Sequence, residues 1–288
     1  MDLIQDRFGS LVVEEHPSHD ALNQYYRDTY YEGGHTNYPG KYSVDEINYF
    51  HFKDKILEHL LITRFGTSVG KLLDIGCGEG FTLDYFHSRG WECFGADFSI
   101  QGIKNQNAHL AGNIQFEQTN IVTGSYFDGE LFDVIVGNGI LEHVTDKIHV
   151  VSGMYQRLKA GGYLFVLVPN DFGLIQRQYL NDNKVETADA PWVVPMEHLT
   201  YFSADSLRKT VESVGFRMET MLADFPIEMF LLNRETNCYE TDFGKIAHQL
   251  RVKFTNLIAS DIGNAVQYCE SMANVGVGRC LMGLFRRL

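Results

Sequence analysis

The chain is short of cysteine, of positive charge and of long apolar runs, and each shortage excludes something. Its five cysteines, Cys77, Cys93, Cys238, Cys269 and Cys280, are scattered, odd in number and never in C-x-x-C spacing. That pattern speaks against a disulfide framework and against a zinc site, so no metal is expected. With 24 Lys and Arg against 37 Asp and Glu, the formal net charge is −13. A phosphate backbone would be repelled and no dense basic run offsets the imbalance, which excludes nucleic acid and favours a small-molecule substrate. No apolar run reaches membrane-spanning length, and the acidic start Met1-Asp2-Leu3-Ile4-Gln5-Asp6 lacks the basic n-region of a signal peptide. A soluble, cytoplasmic protein with no membrane partner is the expectation. Internal repeats and low-complexity segments are missing too. What remains, 288 residues of which 44% are hydrophobic, suits one elaborated α/β domain with a full core.

The most informative stretch is Lys71-Leu72-Leu73-Asp74-Ile75-Gly76-Cys77-Gly78-Glu79-Gly80, an apolar run that meets a carboxylate and breaks into three close glycines. It reads as a buried strand entering a tight loop, and Phe81 to Phe86 turn helical behind it. Strand, glycine loop and helix in that order are how open α/β sheets hold a nucleotide. Glycine lets the backbone turn with φ > 0 and lets a ligand approach its amides. The next strand, Glu92 to Asp97, ends in a carboxylate about twenty residues beyond the first glycine, where a ribose diol would lie. Asp97 is therefore the candidate ribose ligand. Dinucleotide folds want G-x-G-x-x-G; here the spacing is G-x-G-x-G, with Phe81 where the last glycine would stand. Asp74, just before the loop, would repel a pyrophosphate and welcome a positively charged ligand.

At these residues the chain resembles the class I S-adenosylmethionine-dependent methyltransferases, and within them the branch that includes ubiquinone-biosynthesis methyltransferases. Further segments fit in the family's order: Phe132 to Val144 with Leu141-Glu142-His143-Val144, Leu158 to Asn170, His198-Leu199-Thr200-Tyr201-Phe202-Ser203, and Leu207 to Phe216. The resemblance covers about residues 70 to 222, and it implies a doubly wound, seven-stranded, mostly parallel α/β sheet of Rossmann-like type. It also implies S-adenosyl-L-methionine as cofactor, held by Asp74, Gly76, Cys77 and Gly78, by Asp97 and Phe98, and by the backbone at Asn138 and Gly139. The family often carries an acidic residue near the adenine after the third strand. Here Thr119-Asn120-Ile121 stands there, and Asn120 can still hydrogen-bond adenine beside Ile121.

Strands are expected near 71 to 75, 92 to 96, 114 to 118, 132 to 137 and 162 to 168, alternating with helices. Residues 1–66 form a tyrosine-rich cap or lid and a helix, opened by the capping-box spacing Ser43-Val44-Asp45-Glu46 and carrying an apolar face of Ile47, Phe50, Ile56, Leu57, Leu60 and Leu61. Residues 67–222 form the cofactor-binding core, and the long connection 170–202 within it is a substrate loop. A helical insertion follows over 223–275, its first helix marked by Ile246, Leu250, Phe254 and Leu257 and its second by Ile262, Val266 and Cys269. Residues 276–288 are expected to supply the sheet's antiparallel final strand, with a basic helix as the rival. The insertion's apolar faces would cover the substrate side or make a homodimer contact.

Methyl transfer from a sulfonium needs acceptor and methyl held in line, water excluded and, for a hydroxyl or ammonium acceptor, a proton removed. His143, just beyond the fourth parallel strand, and His198, in the returning loop, are the candidate bases; either could equally be structural. Tyr30 and Tyr31, next to Gly33-Gly34, are lid candidates, the first toward the cofactor and the second toward the substrate. Asn170 and Arg177 follow the fifth strand, where Arg177 could hold a phosphate or carboxylate. The leading function is an O- or N-methyltransferase of a small polar metabolite, such as a nucleotide-linked sugar or a building block of surface polysaccharide or natural products. A quinone or aromatic acceptor is the alternative. An NAD-dependent oxidoreductase and a non-catalytic binding protein rank below both.

Overall fold

The computed structural model describes residues 2–17, 41–122 and 125–288. Its first elements are two short strands, β1 (Leu3–Gln5) and β2 (Leu11–Val13), paired antiparallel. Gly9 turns the hairpin at φ 91°, and Asp6 steadies it by accepting from the Phe8 and Ser10 amides. Three-residue strands are too short to show a period, and neither was expected from sequence.

Two helices follow, α1 (Val44–Phe50) and α2 (Phe52–Phe65). Ser43 and Glu46 form the expected capping box. The single helix anticipated here breaks at His51, however, and the two parts differ. Ile56, Leu57, Leu60 and Leu61 are fully buried, whereas no residue of α1 is.

The core then alternates as its apolar runs predict: β3 (Lys71–Ile75), α3 (Phe81–His87), β4 (Glu92–Asp97), α4 (Gln101–Gln106), β5 (Gln115–Gln118), β6 (Phe132–Asn138), α5 (Lys147–Arg157) and β7 (Leu158–Pro169). The helix before β7 ends earlier than Gly161-Gly162 suggested. Leu158 already pairs with Phe132 and Tyr163 with Val134, so the intervening residues bulge, with Gly161 at φ 78°; the two glycines serve a bulge instead of a helix cap. Beyond β7 come α6 (Leu174–Asn183), β8 (Thr200–Tyr201), α7 (Ala204–Glu212), β9 (Phe216–Ala223), α8 (Gly244–Ile258), α9 (Ile262–Asn274) and β10 (Cys280–Arg287).

Among the described residues the main sheet has seven strands in the order β5-β4-β3-β6-β7-β10-β9. All neighbours are parallel except β10, which runs antiparallel between β7 and β9. Residues 280–287 are thus a strand, not a helix. Period-two alternation divides the core between two faces. Leu73, Ile75, Leu281 and Phe285 pack with α5 and α7, while Leu72, Met282 and Leu284 pack with α2 and α9. A separate three-stranded sheet, β1-β2-β8, ties the first residues to the end of the 170–202 connection.

The insertion is helical, but of the face expected for α8 only Phe254 packs inward, against Phe225 and Tyr268. Ile246, Leu250 and Leu257 are 49%, 43% and 70% exposed, and Ala247, Val252 and Thr255 are buried. In α9 the expected face holds, with Val266 and Cys269 buried.

Candidate functional site

The glycine loop sits at the carboxyl edge of β3. Gly76, Gly78 and Gly80 adopt φ values of 68°, 51° and 77°, the left-handed region that side chains resist. Much of the loop's hydrogen bonding is internal. The Gly76 amide donates to Ala96 O at 2.7 Å, and the Gly78 amide donates to Asp97 Oδ2 at 2.9 Å. The space where a Gly78 Cβ would project is open, with no atom within 4 Å. Cys77 turns its thiol into the core below, where burial pushes its pKa well up. Any contact it makes with a ligand must therefore come from its backbone.

Asp74 and Asp97 flank this loop. Asp74 is 2% exposed, and burial raises its carboxyl well above the usual range, opposed mainly by the positive charge of Lys53. A buried carboxylate in that condition is stabilised by a cationic ligand. Asp97 accepts from the Gly78 and Ser99 amides through its two oxygens. Phe98 is exposed at its side, and Ile121 is buried. Asn120 Oδ1 accepts from the Val122 amide at 2.9 Å. The Gly139 amide is already given to Leu167 O, which leaves its carbonyl for a ligand. Asn138 offers a different opening: its buried Oδ1 has no partner.

Across β6 lies a second cluster. Glu142, His143 and His198 bring ligand-capable atoms within 4.8 Å of one another. His143 Nδ1 donates to Glu197 O at 2.5 Å, and its ring centre is 4.9 Å from that of His198. Burial lowers both imidazoles. His198 falls to about 3, with His143 and Arg279 adding to the effect. The Glu142 carboxyl is pushed up to about 8 by burial, with Asp171 contributing, and its Oε2 is unpartnered. Asp171 rises to about 6 for the same reason, although Arg279 opposes it from 3.5 Å. These three side chains could hold a divalent cation. Cysteine spacing, the basis of the no-metal expectation, carries no information about them.

The other sequence candidates fall in different places. Asn170 is buried and donates from Nδ2 to Gly278 O at 3.0 Å, clamping the end of β7 to the approach of β10. Arg177 is exposed on the wall of a cleft of about 810 Å³, shared with Lys184, Tyr201 and Asp171. Tyr30 and Tyr31 lie outside the described residues. Sequence reasoning offered Asp171 after the fifth strand together with Asn170 and Arg177, and passed over Lys53, Asp54, Thr82, Arg279 and Gly102. Only Gly102 carried a signal, as an isolated glycine inside a helical pattern: a Cβ there would stand 2.5 Å from Gly78 O, so α4 presses directly on the loop.

The sequence profile of the methyltransferase domain family matches residues 49–221, more than half of the chain. The chain belongs to this family of class I S-adenosylmethionine-dependent methyltransferases. Its cofactor is S-adenosylmethionine, which displaces the NAD alternative. The methyltransferase is 35% identical over 102 residues to a ubiquinone biosynthesis O-methyltransferase of Mesorhizobium japonicum, covering 35% of this chain and 41% of that protein. It is 30% identical over 160 residues to the mitochondrial ubiquinone biosynthesis O-methyltransferase of Rattus norvegicus, covering 52% and 45%. The chain thus spans about half the length of the curated relatives it matches. The crystal structure of the plantazolicin methyltransferase BpumL in complex with a monoazolic desmethylPZN analog and SAH superposes over 92% of this chain and 93% of that one, with a TM-score of 0.57 at 13% identity. At that identity the likeness establishes the fold. The cradle fits the cofactor on its own terms too: burial raises the Asp74 carboxyl despite Lys53 and, among the described residues, Asn138 Oδ1 lacks a donor and a Gly78 Cβ would face open space. Among the described residues no helix is long and apolar enough to cross a membrane.

Proposed function

We propose that this methyltransferase moves the methyl group of S-adenosylmethionine to an oxygen or nitrogen of a small polar metabolite, with His143 as the proton acceptor. The observation that carries the reading is the His143 hydrogen bond to Glu197 O. With the proton on Nδ1 committed to that carbonyl, the basic nitrogen is Nε2, which lies 3.9 Å from Glu142 Oε1, and burial favours the neutral ring. His198, held to about 3, is too weak a base to compete and serves to pack against His143. The cofactor supplies the electrophilic methyl. The chain's own residues orient both partners, exclude water and take the acceptor's proton.

The polar cleft beside Asp171 favours an acceptor that carries an anionic group and hydroxyls, such as a nucleotide-linked sugar or a related polysaccharide building block. Arg177 and Lys184 on its wall supply the positive charge, and Asp171, which also faces Arg279, connects the cleft to the histidine cluster. A quinone or aromatic acceptor is the second reading. It is favoured by the ubiquinone biosynthesis O-methyltransferases among the relatives and by the aromatic cluster of Phe172, Tyr179, Trp192 and Tyr201 beside the same connection.

Release of S-adenosylhomocysteine from two acceptor panels, one of nucleotide sugars and one of catechols and quinols, decides between them. Turnover confined to the first, and reduced by Arg177→Ala, is the expected result. Turnover confined to the second selects the aromatic reading, and turnover with no panel despite tight cofactor binding argues for a non-catalytic cofactor-binding protein.

A further inference from the structure

A line of buried hydrogen bonds enters the cofactor cradle from the side of α2. Asp54 is 1% exposed. Its Oδ2 faces His51 Nδ1 at 3.3 Å and Lys53 Nζ at 3.7 Å, and its Oδ1 accepts from the Thr82 hydroxyl at 2.9 Å. Thr82, in the first turn of α3, lies 3.3 Å from the side-chain nitrogen of Asn138. A hydroxyl has a single proton to give, and a carboxylate can only accept. Once the Thr82 proton is committed to Asp54, Thr82 can do nothing toward Asn138 except accept. Asn138 must therefore turn its NH₂ to Thr82 and its carbonyl oxygen the other way.

That oxygen is buried and without a partner, a state that calls for a donor to arrive. Asn138 stands one residue beyond the Ile75–Gly137 pair, beside Gly76 and close behind Asp74. Both features suit the positively charged amino-acid end of the cofactor.

We infer that Asp54 is a positioning residue for the cofactor: by taking the proton of Thr82 it fixes the Asn138 amide with its carbonyl oxygen toward the ammonium of the methionine portion. The inference rests on the reading of this cradle as an S-adenosylmethionine site. Without the carboxylate, Thr82 is free to donate to Asn138; the amide can then rotate and set N–H groups against a like-charged ammonium. Asp54 reaches the ammonium site through Thr82 and Asn138; its charge also bears on the buried Asp74, a contribution that Thr82→Val leaves in place.

The test uses the full chain with Asp54→Leu, Thr82→Val and Thr82→Ser, and two ligands measured by calorimetry; leucine is chosen because asparagine would keep an oxygen that accepts from Thr82. S-adenosylhomocysteine carries the amino-acid end; 5′-methylthioadenosine keeps the nucleoside and lacks it. Asp54→Leu and Thr82→Val are expected to weaken S-adenosylhomocysteine about tenfold and to leave 5′-methylthioadenosine unchanged. Thr82→Ser, which keeps the hydroxyl, should bind like the unaltered protein. Equal weakening of both ligands would show a merely structural role, and no change in either would remove Asp54 from the cradle; each result overturns the inference. If Asp54→Leu fails to fold, Thr82→Val alone decides. If the unaltered protein binds neither ligand, the cofactor reading itself fails, an outcome distinct from the other two.

Discussion

Replacing Gly102 with alanine should lower both stability and cofactor affinity, against the usual sign for a helical glycine. In an unobstructed helix, alanine stabilises relative to glycine by about 0.5 to 1 kcal/mol. At Gly102, in the first turn of α4, the added Cβ would lie 2.5 Å from Gly78 O, 2.8 Å from Gly78 C and 3.1 Å from Glu79 N. These are backbone atoms, and they cannot swing aside as a side chain would. The loop is pinned by Gly76 N to Ala96 O, by Gly80 N to Cys77 O and by Asn107 Nδ2 to Glu79 O. Relieving the overlap must move α4 or the loop by a large fraction of an ångström, and overpacking of this kind costs about 1 to 3 kcal/mol. Subtracting the helical gain leaves a net loss of up to about 2.5 kcal/mol. The displaced loop should also bind S-adenosylhomocysteine about tenfold more weakly. Urea unfolding and calorimetry measure the two effects. Gly153→Ala in α5 is the control: its Cβ would meet only the Arg157 guanidinium end and the Tyr126 hydroxyl, at 3.5 and 3.8 Å, so that variant should gain stability. If Gly102→Ala also gains stability and binds the ligand unchanged, α4 does not brace the loop and the reasoning is refuted.

Asp97→Ala should weaken cofactor binding by about 1 to 3 kcal/mol, because a ribose hydroxyl loses a charged acceptor; unchanged affinity by calorimetry would take Asp97 out of the site. For Glu142, burial lifts the folded carboxyl from 4.5 to about 8, so the native protein loses stability from this group as pH rises from 4.5 through 8. Glu142→Gln should accordingly melt higher than the unaltered protein at pH about 9 and lose that advantage at pH about 4, and a pH-independent difference would contradict the assignment. His143→Ala should cut kcat by about 10² to 10⁴ with cofactor affinity nearly constant, and His198→Ala by much less. Because burial lowers the His143 pKa from its ordinary 6.5, the acidic limb of the kcat profile should have its midpoint below 6.5; a midpoint above 6.5 would exclude His143 as the base.

The strands β3 and β4 were legible because each is an apolar run that stops at a glycine or a carboxylate, as at Ile75-Gly76 and Ala96-Asp97, whereas β5, Gln115-Phe116-Glu117-Gln118, has no such run. The candidate cofactor cradle was legible for the same reason, since the loop and both flanking acids lie within one βαβ unit. The orientation of α8 was not. Its large apolar residues Ile246, Leu250 and Leu257 point outward, and Ala247 and Thr255 are among those buried; a hydrophobic period locates the wrong face when small residues make the contact. The acceptor side was legible only in part. Glu142 and His143 are neighbours in sequence and Asp171 follows the fifth strand, but Arg279 meets Asp171 across 108 positions, and nothing local marks it. Thr82 and Asp54 carry no motif at all: their meaning lies in the direction of one hydroxyl proton.

The place of β10 in the sheet bears on how the chain is born. Residues 280–287 lie between β7 and β9, and the whole helical insertion is made after β9 and before them. During synthesis β7 therefore waits with an open edge, and β9 has no strand beside it to join. Unpaired edges of this kind invite association with other chains, and long-range pairings of this kind slow folding. The emerging protein must shelter a half-built sheet until one late segment arrives to bridge it. A ribosome that stalls before Cys280 would leave not a smaller enzyme but a sticky one.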